Sequence, residues 1–224
     1  LLKADLHIHT EYSFDCTTPL EDIIDRCVEL GINCVAVADH GTIAGALKMK
    51  ERAPFKVIVA EEVLTPIGEI MGMFLSEEVP TKISAEEAIR RIKGQNGLVC
   101  LPHPFDRMRG IKEKCRSLES LIPDIDIIEV FNARTLPLLF SDSKARRFAE
   151  KHGLLCSAGS DAHTLHEVGH TWVEMPEFNG SQEFRSALAQ GTIHGHRSSP
   201  VVHVATTYRN ILRGLKLAGR RPSG

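Results

Sequence analysis

The sequence predicts an α/β fold with a mainly parallel sheet, and three observations predict it. Apolar strand-like runs alternate with helical patterns along the chain, as repeated βα units require. The run Cys34-Val35-Ala36-Val37-Ala38 has no polar member, which suits a strand covered on both faces. No Gly-x-Gly-x-x-Gly or Walker loop follows any strand, which disfavours a nucleotide-cofactor fold. A barrel and an open doubly wound sheet both satisfy these patterns.

The elements follow in order. Residues 2–8 read as a strand. Over residues 19–30 the apolar positions Leu20, Ile23, Ile24, Cys27 and Val28 have helical spacing; Thr18 is placed to cap this helix, Pro19 fits its first turn and Gly31 ends it. The apolar strand 34–38 comes next, then a short helix over 43–51. Residues 56–63 read as a strand, and 68–75 as its return. Ser84 caps a helix running to about Gln95, with Glu87 completing a capping box. Strands are expected at 98–101 and 125–131. A helix over 141–152 is ended by Gly153, and strands follow at 154–158 and 171–175. Helices at 181–190 and 208–217 complete the set. In a chain of 224 residues with no linker or internal repeat, residues 1–219 are expected to form one domain, with 220–224 a frayed tail.

Bulk properties exclude some partners. The net charge of −2 gives no basic field for duplex nucleic acid, although a nucleotide or short oligonucleotide needs only local positive groups. The six cysteines, Cys16, Cys27, Cys34, Cys100, Cys115 and Cys156, form no Cys-x-x-Cys pair and mostly sit in apolar runs. They read as buried free thiols, which fits a reducing, cytoplasmic compartment. No apolar run reaches membrane-spanning length and no signal peptide is visible, so no membrane partner is expected.

Eleven histidines stand out, because they gather with carboxylates where strands end. His7 and His9, at i and i+2 on a strand, point to one face. Asp15 follows in the next loop. The later strand ends carry Asp39-His40, Glu61-Glu62, Pro102-His103-Pro104, Glu129-Val130-Phe131-Asn132 and Ser160-Asp161-Ala162-His163. Functional groups of a barrel collect at these C-terminal strand ends. Imidazole and carboxylate together are ligands for divalent metals.

The ordered set Asp5-Leu6-His7-Ile8-His9-Thr10, Ala38-Asp39-His40-Gly41, Glu62, Pro102-His103-Pro104 and Gly159-Ser160-Asp161-Ala162-His163 resembles the PHP (polymerase and histidinol phosphatase) family. The resemblance covers nearly the whole chain and is greatest to the stand-alone metal-dependent phosphoesterases. It implies a distorted seven-stranded (β/α)7 barrel, TIM-barrel-like, with two or three divalent ions, whether zinc, manganese or iron. It implies that His7, His9 and Asp161 hold one metal. Glu62 would bridge that metal to a second, also bound by His103, and Asp15, His40 and His163 would hold a third. Many three-metal members have histidine where this chain has Asn132. An amide oxygen is the weaker ligand, so the second metal is expected to be loosely held, completed by water, or absent. The family pattern over Ala60-Glu61-Glu62 favours Glu62 as the ligand. Asp5 and Asp39 are candidates for orienting ligand imidazoles, with a backbone hydrogen bond the equal alternative for Asp39.

The implied activity is a metal-dependent phosphoesterase that hydrolyses a small phosphorylated substrate, such as a nucleotide or short oligonucleotide, by metal-activated hydroxide. The same site also fits a metal-dependent amidohydrolase or a non-catalytic regulatory domain. Arg134 and Arg197 are candidates for gripping substrate phosphate, against the alternative of surface salt bridges. His196 is a candidate proton donor or substrate contact. His166, His170 and His203 carry less weight, and His152 suits a helix C-terminus.

Overall fold

The computed structural model describes residues 1–106, 109–111, 120–135, 141–199 and 202. Its elements are β1 (Leu2–Ile8), α1 (Leu20–Leu30), β2 (Cys34–Val37), α2 (Ala44–Arg52), β3 (Lys56–Thr65), β4 (Gly68–Met73), α3 (Ala85–Gly94), β5 (Leu98–Leu101), β6 (Ile127–Asn132), α4 (Ser141–His152), β7 (Leu155–Gly159), β8 (Thr171–Met175), α5 (Gly180–Leu188) and β9 (Thr192–Gly195). The expected helix over 208–217, the tail 220–224, Cys115 and His203 lie outside the described residues.

Among the described residues the sheet is a nearly closed barrel of nine strands in the order β7-β6-β5-β4-β3-β2-β1-β8-β9. The resemblance implied a distorted seven-stranded (β/α)7 barrel; the count here is nine strands, and they are not all parallel. Pairs β1–β2, β2–β3, β5–β6 and β6–β7 are parallel, but β3–β4, β4–β5, β1–β8 and β8–β9 are antiparallel. The cause is local. Thr65 pairs with Gly68, leaving only Pro66 and Ile67 to join β3 to β4. So short a link must reverse the chain, because a parallel crossover needs about a dozen residues.

Alternation along the strands sorts the core. On β2 the small Cys34 and Ala36 pack in one cluster with Leu6, Ala60, Met71, Met73 and Ala158, which fills the barrel. Val35 and Val37 face the other way, against Ile23 and Cys27 of α1 and Ala46 and Met49 of α2. Both faces are therefore apolar, as the unbroken run predicted. Phe178, and Phe184 and Leu188 of α5, join the inner cluster, and Lys56 at the start of β3 donates to Phe178 O at 2.7 Å.

The seam of the barrel positions the site. The first half of β1 pairs with β8 through Leu2, Lys3 and Ala4. Its second half meets the chain leaving β7: the Asp161 N–H donates to His7 O at 2.7 Å, and the His9 N–H to Ala162 O at 3.1 Å. Gly159 permits this approach, since a Cβ there would collide with the His7 side chain and lie 2.8 Å from its amide nitrogen.

The helix ends depart from expectation in two places. Thr18 does not cap α1; its hydroxyl donates to His163 O at 3.2 Å, and Glu11 accepts the Leu20 N–H instead. Ser84 does cap α3, accepting the Glu87 N–H at 3.2 Å, but the Glu87 carboxylate pairs with Arg90 and Arg91 rather than closing the box. Cys16, Cys27, Cys34 and Cys100 are buried free thiols, and Cys156 is half-buried and free. Among the described residues no helix is long and apolar enough to cross a membrane.

Candidate metal centre

Strand ends from around the barrel converge on one buried cluster. His7 and His9 place their Nε2 atoms 3.2 Å apart. Glu62 on β3 sits beneath both, with Oε1 3.4 Å from His7 Nε2 and Oε2 3.4 Å from His9 Nε2. Asp161 completes the group, its Oδ1 3.3 Å from His9 Nε2 and 3.8 Å from His7 Nε2. His103 brings Nε2 to 3.3 Å from Glu62 Oε1. On the other side Asp15 Oδ2 lies 2.9 Å from His163 Nε2 and 3.4 Å from His40 Nε2. All eight residues expected to bind metal are thus brought together. Glu61 faces away and accepts the Val79 N–H at 2.8 Å, as strand alternation requires.

The donor atoms fit divalent metal. Among the described residues, Glu62 Oε1, Asp161 Oδ1, His40 Nδ1 and His103 Nε2 are buried without a hydrogen-bond partner. Leaving such atoms unpaired costs about 1–3 kcal/mol each, so their clustering needs a ligand to explain it. One ligand atom from each of His9, Asp15, His40 and His163 lies within 4.8 Å of the others, and the same holds for His7, His9 and Glu62. Nitrogen and oxygen donors at this spacing suit zinc, manganese or iron.

Without metal, protons supply the positive charge. Burial opposes charge on His7, yet Glu62, Glu129 and Asp161 hold it well above the usual imidazole range. Burial likewise opposes charge on His9, but its ion-pair contacts with Asp161 and Glu62 push it up to about 10. Glu62 stays well below the usual carboxylate range despite burial, chiefly through His7 and His103, and Asp161 does so through Arg109 and His7. His163 is pushed down to about 4 by burial and by the charge on His9. Two of these residues also carry backbone strain. His103 and Asp161 adopt left-handed φ values of 27° and 54°, each costing about 1–3 kcal/mol in a non-glycine residue.

The model of the PHP domain matches residues 5–93, and the model described as PHP-associated matches residues 142–193. The chain belongs to the PHP family. Two uncharacterized proteins of Methanocaldococcus jannaschii are similar to it: one is 37% identical over 59% of this chain and 82% of its own length, the other 33% identical over 80% and 72%. A solved two-domain protein from Bacteroides vulgatus, described as containing a predicted PHP-like metal-dependent phosphoesterase, has the same fold. Its TM-score is 0.72 at 19% identity, covering 87% of this chain and 65% of that one.

Several residues of the PHP centre take roles that differ from expectation. Glu129, not Asp5 or Asp39, is the carboxylate that contacts an imidazole expected to bind metal: its Oε1 lies 3.1 Å from His7 Nδ1, and its Oε2 accepts the His103 N–H at 2.8 Å. The sequence displayed Glu129 at a strand end but not its partner on β1. Asp39 instead follows its expected alternative, a backbone hydrogen bond: it accepts from the Thr10 N–H at 2.6 Å, and also from the Thr10 hydroxyl at 2.7 Å. Asp5 accepts the Ser160 N–H at 2.9 Å, and burial raises its carboxyl to about 6.

The expected phosphate grips are engaged with protein. Arg134 is buried with Nε 3.2 Å from Glu167 Oε1. Arg197 donates to Asn132 O at 3.1 Å and Thr135 O at 2.7 Å, and pairs with Asp142. A different arginine reaches the centre: Arg109 donates to Asp161 Oδ2 and lies 3.4 Å from Asp106 Oδ2. No motif pointed to it, because it sits in the loop after β5. His196 is exposed and lies against the ring of His170, with centroids 4.5 Å apart, while His170 Nδ1 bonds Ser198 Oγ at 2.9 Å. His166 lies in a single 3-10 turn, Leu165–Glu167, so no long helix aligns His163, His166 and His170.

Proposed function

We propose that this PHP protein is a metal-dependent hydrolase of phosphate esters, acting on a small phosphorylated molecule such as a nucleotide or short oligonucleotide. The observation that carries the reading is the convergence, beside one arginine, of buried nitrogen and oxygen atoms that lack a hydrogen-bond partner. His7, His9, Glu62 and Asp161 would hold one ion; Glu62 and His103 a second; and Asp15, His40 and His163 a third, drawn from zinc, manganese or iron. Bound there, the ions would neutralise phosphoryl oxygens and acidify water toward neutral pH.

The chain's own groups supply the rest. Glu129 fixes the His7 ring, so that its Nε2 faces Glu62 and Asp161. Arg109 is the cation placed for substrate phosphate: its side chain is 28% exposed while Asp161 beneath it is 1% exposed. A guanidinium can move its two-pronged donor set from a carboxylate to a phosphate without a change of charge.

The test is metal analysis of protein purified without added metal, followed by a panel of aryl phosphates, nucleotides and short oligonucleotides. Metal-dependent hydrolysis, competitively inhibited by inorganic phosphate, supports the reading. A metal-loaded protein that cleaves amides but no phosphate ester would overturn it in favour of an amidohydrolase. Loaded protein that cleaves neither would favour the regulatory reading.

A further inference from the structure

The histidine missing at Asn132 leaves the second metal position with too few ligands, and Asn132 itself does not fill it. Its amide is fully engaged. The Nδ2 group donates to Glu129 Oε2 at 2.9 Å and to Asp161 Oδ2 at 3.2 Å, and Oδ1 accepts the Arg134 N–H at 3.0 Å. The oxygen that would ligate a metal is therefore bonded to backbone.

The hairpin partner of β3 supplies a carboxylate instead. Glu69 on β4 stands opposite Leu64, and Met71 stands opposite Glu62. Residues directly opposite share a face, and positions two apart on one strand do too. Glu62, Leu64, Glu69 and Met71 thus line one side of the hairpin, the side on which Met71 and Met73 fill the barrel. Glu69 reaches the cluster from there. Its Oε2 lies 3.3 Å from His103 Nε2, which is itself 3.3 Å from Glu62 Oε1. Among the described residues these three atoms are all buried and all lack a hydrogen-bond partner. The side chains of His103 and Glu62 are only 1% and 2% exposed. His40 closes the group, with one atom each of His40, Glu62 and Glu69 lying within 4.8 Å of one another.

We propose that Glu69 is a ligand of the second metal, completing with Glu62 and His103 the position that Asn132 vacates. A carboxylate in place of imidazole makes that position harder and more negatively charged, and so better suited to manganese or iron(II) than to zinc. The inference rests on the metal-centre reading above, but it does not depend on which bond is cleaved.

Metal stoichiometry and Mn2+ titration calorimetry on the purified full chain test it. Glu69→Gln keeps the shape and removes the charge; it is expected to lose one metal equivalent, or to bind it at least tenfold more weakly, with the remaining equivalents unchanged. Glu69→His restores a ligating nitrogen and is expected to regain that equivalent with preference moved toward zinc. Asn132→Ala is expected to keep the wild-type count. Full stoichiometry and unchanged affinity in Glu69→Gln would overturn the proposal. So would equal loss in Glu69→Gln and Glu69→His, which would mark a merely structural role. A wild type that binds the metals yet hydrolyses no phosphate ester would defeat the phosphoesterase reading and leave Glu69 as a ligand.

Discussion

Acidification is expected to strip metal from this centre by a proton count that the structure sets. His7 and His9 must be unprotonated at Nε2 to bind metal. In the metal-free cluster both are held above the usual imidazole range, His9 at about 10. Their Nε2 atoms are 3.2 Å apart, so they titrate as a pair that retains at least one proton at neutral pH. His163, down at about 4, is already neutral there and contributes none. Each proton displaced makes binding about tenfold weaker per unit fall in pH. From pH 8 to pH 6 a single proton therefore costs about 100-fold, or about 2.7 kcal/mol, and two protons cost about 10,000-fold.

Calorimetric titration with Mn2+ in two buffers of different ionisation enthalpy measures the count. At least one proton released per chain at pH 7.5 is expected. Thermal unfolding gives an independent check. Raised from 6.5 to about 10, His9 contributes stability that is fully present below pH 6.5 and lost as pH rises toward 10. Glu62 and Asp161, shifted below 4.5 and 3.8, contribute stability that is lost on acidification. Metal-free protein should therefore be most stable on the mildly acidic side of neutrality, while the stabilisation by Mn2+ grows with pH. Buffer-independent heats, or an affinity flat from pH 6 to pH 8, would mean neutral imidazoles and refute the reasoning.

Other perturbations have definite expected outcomes. Glu129→Ala removes the acceptor at His7 Nδ1 and should weaken metal binding by about 10–100-fold, read by competition with a chelator. Gly159→Ala pushes a methyl group into the His7 backbone across the seam and should cost about 1–3 kcal/mol in denaturant unfolding, together with some bound metal. Glu61, pushed up to about 7 chiefly by burial, makes folding less favourable as pH rises from 4.5. Glu61→Gln should thus gain on the wild type between pH 5 and pH 8, and a constant difference across that range would count against it. Arg109→Ala should raise KM for a phosphate ester more than it lowers kcat; equal loss in both would argue against a substrate contact.

The convergence of the eight candidate residues was legible because strand ends concentrate them and because alternation on β1 and β3 fixes which residues face inward. His7 and His9 share a face, and of the adjacent pair Glu61 and Glu62 only Glu62 can join them. The supporting groups were less legible because their partners lie far along the chain. Nothing local to Glu129 indicates that it bonds His7, and nothing local to Arg134 indicates Glu167. Glu69 did leave a signal: a carboxylate at an inward position of a strand whose next inward residues are Met71 and Met73. The two-residue link at Pro66 and Ile67 likewise foretold an antiparallel pair, against the all-parallel pattern of a regular βα barrel.

The seam explains why the centre and the fold cannot be separated. The backbone bonds that bring the end of β7 onto β1 are made by Asp161 and Ala162 to His7 and His9. Closing the barrel therefore delivers Asp161 and His163 to the two histidines that opened the chain, and Gly159 is small enough to let the strands meet there. The left-handed backbone at Asp161 turns its carboxylate into the cluster in the same step. Such a turn is strained on its own, and so are four carboxylates, Asp15, Glu62, Glu69 and Asp161, gathered about buried imidazoles. Divalent cations bound here would relieve the second strain and tie down the first. Metal bound at this point stabilises the closed barrel by as much as its affinity for the open chain falls short of its affinity for the centre.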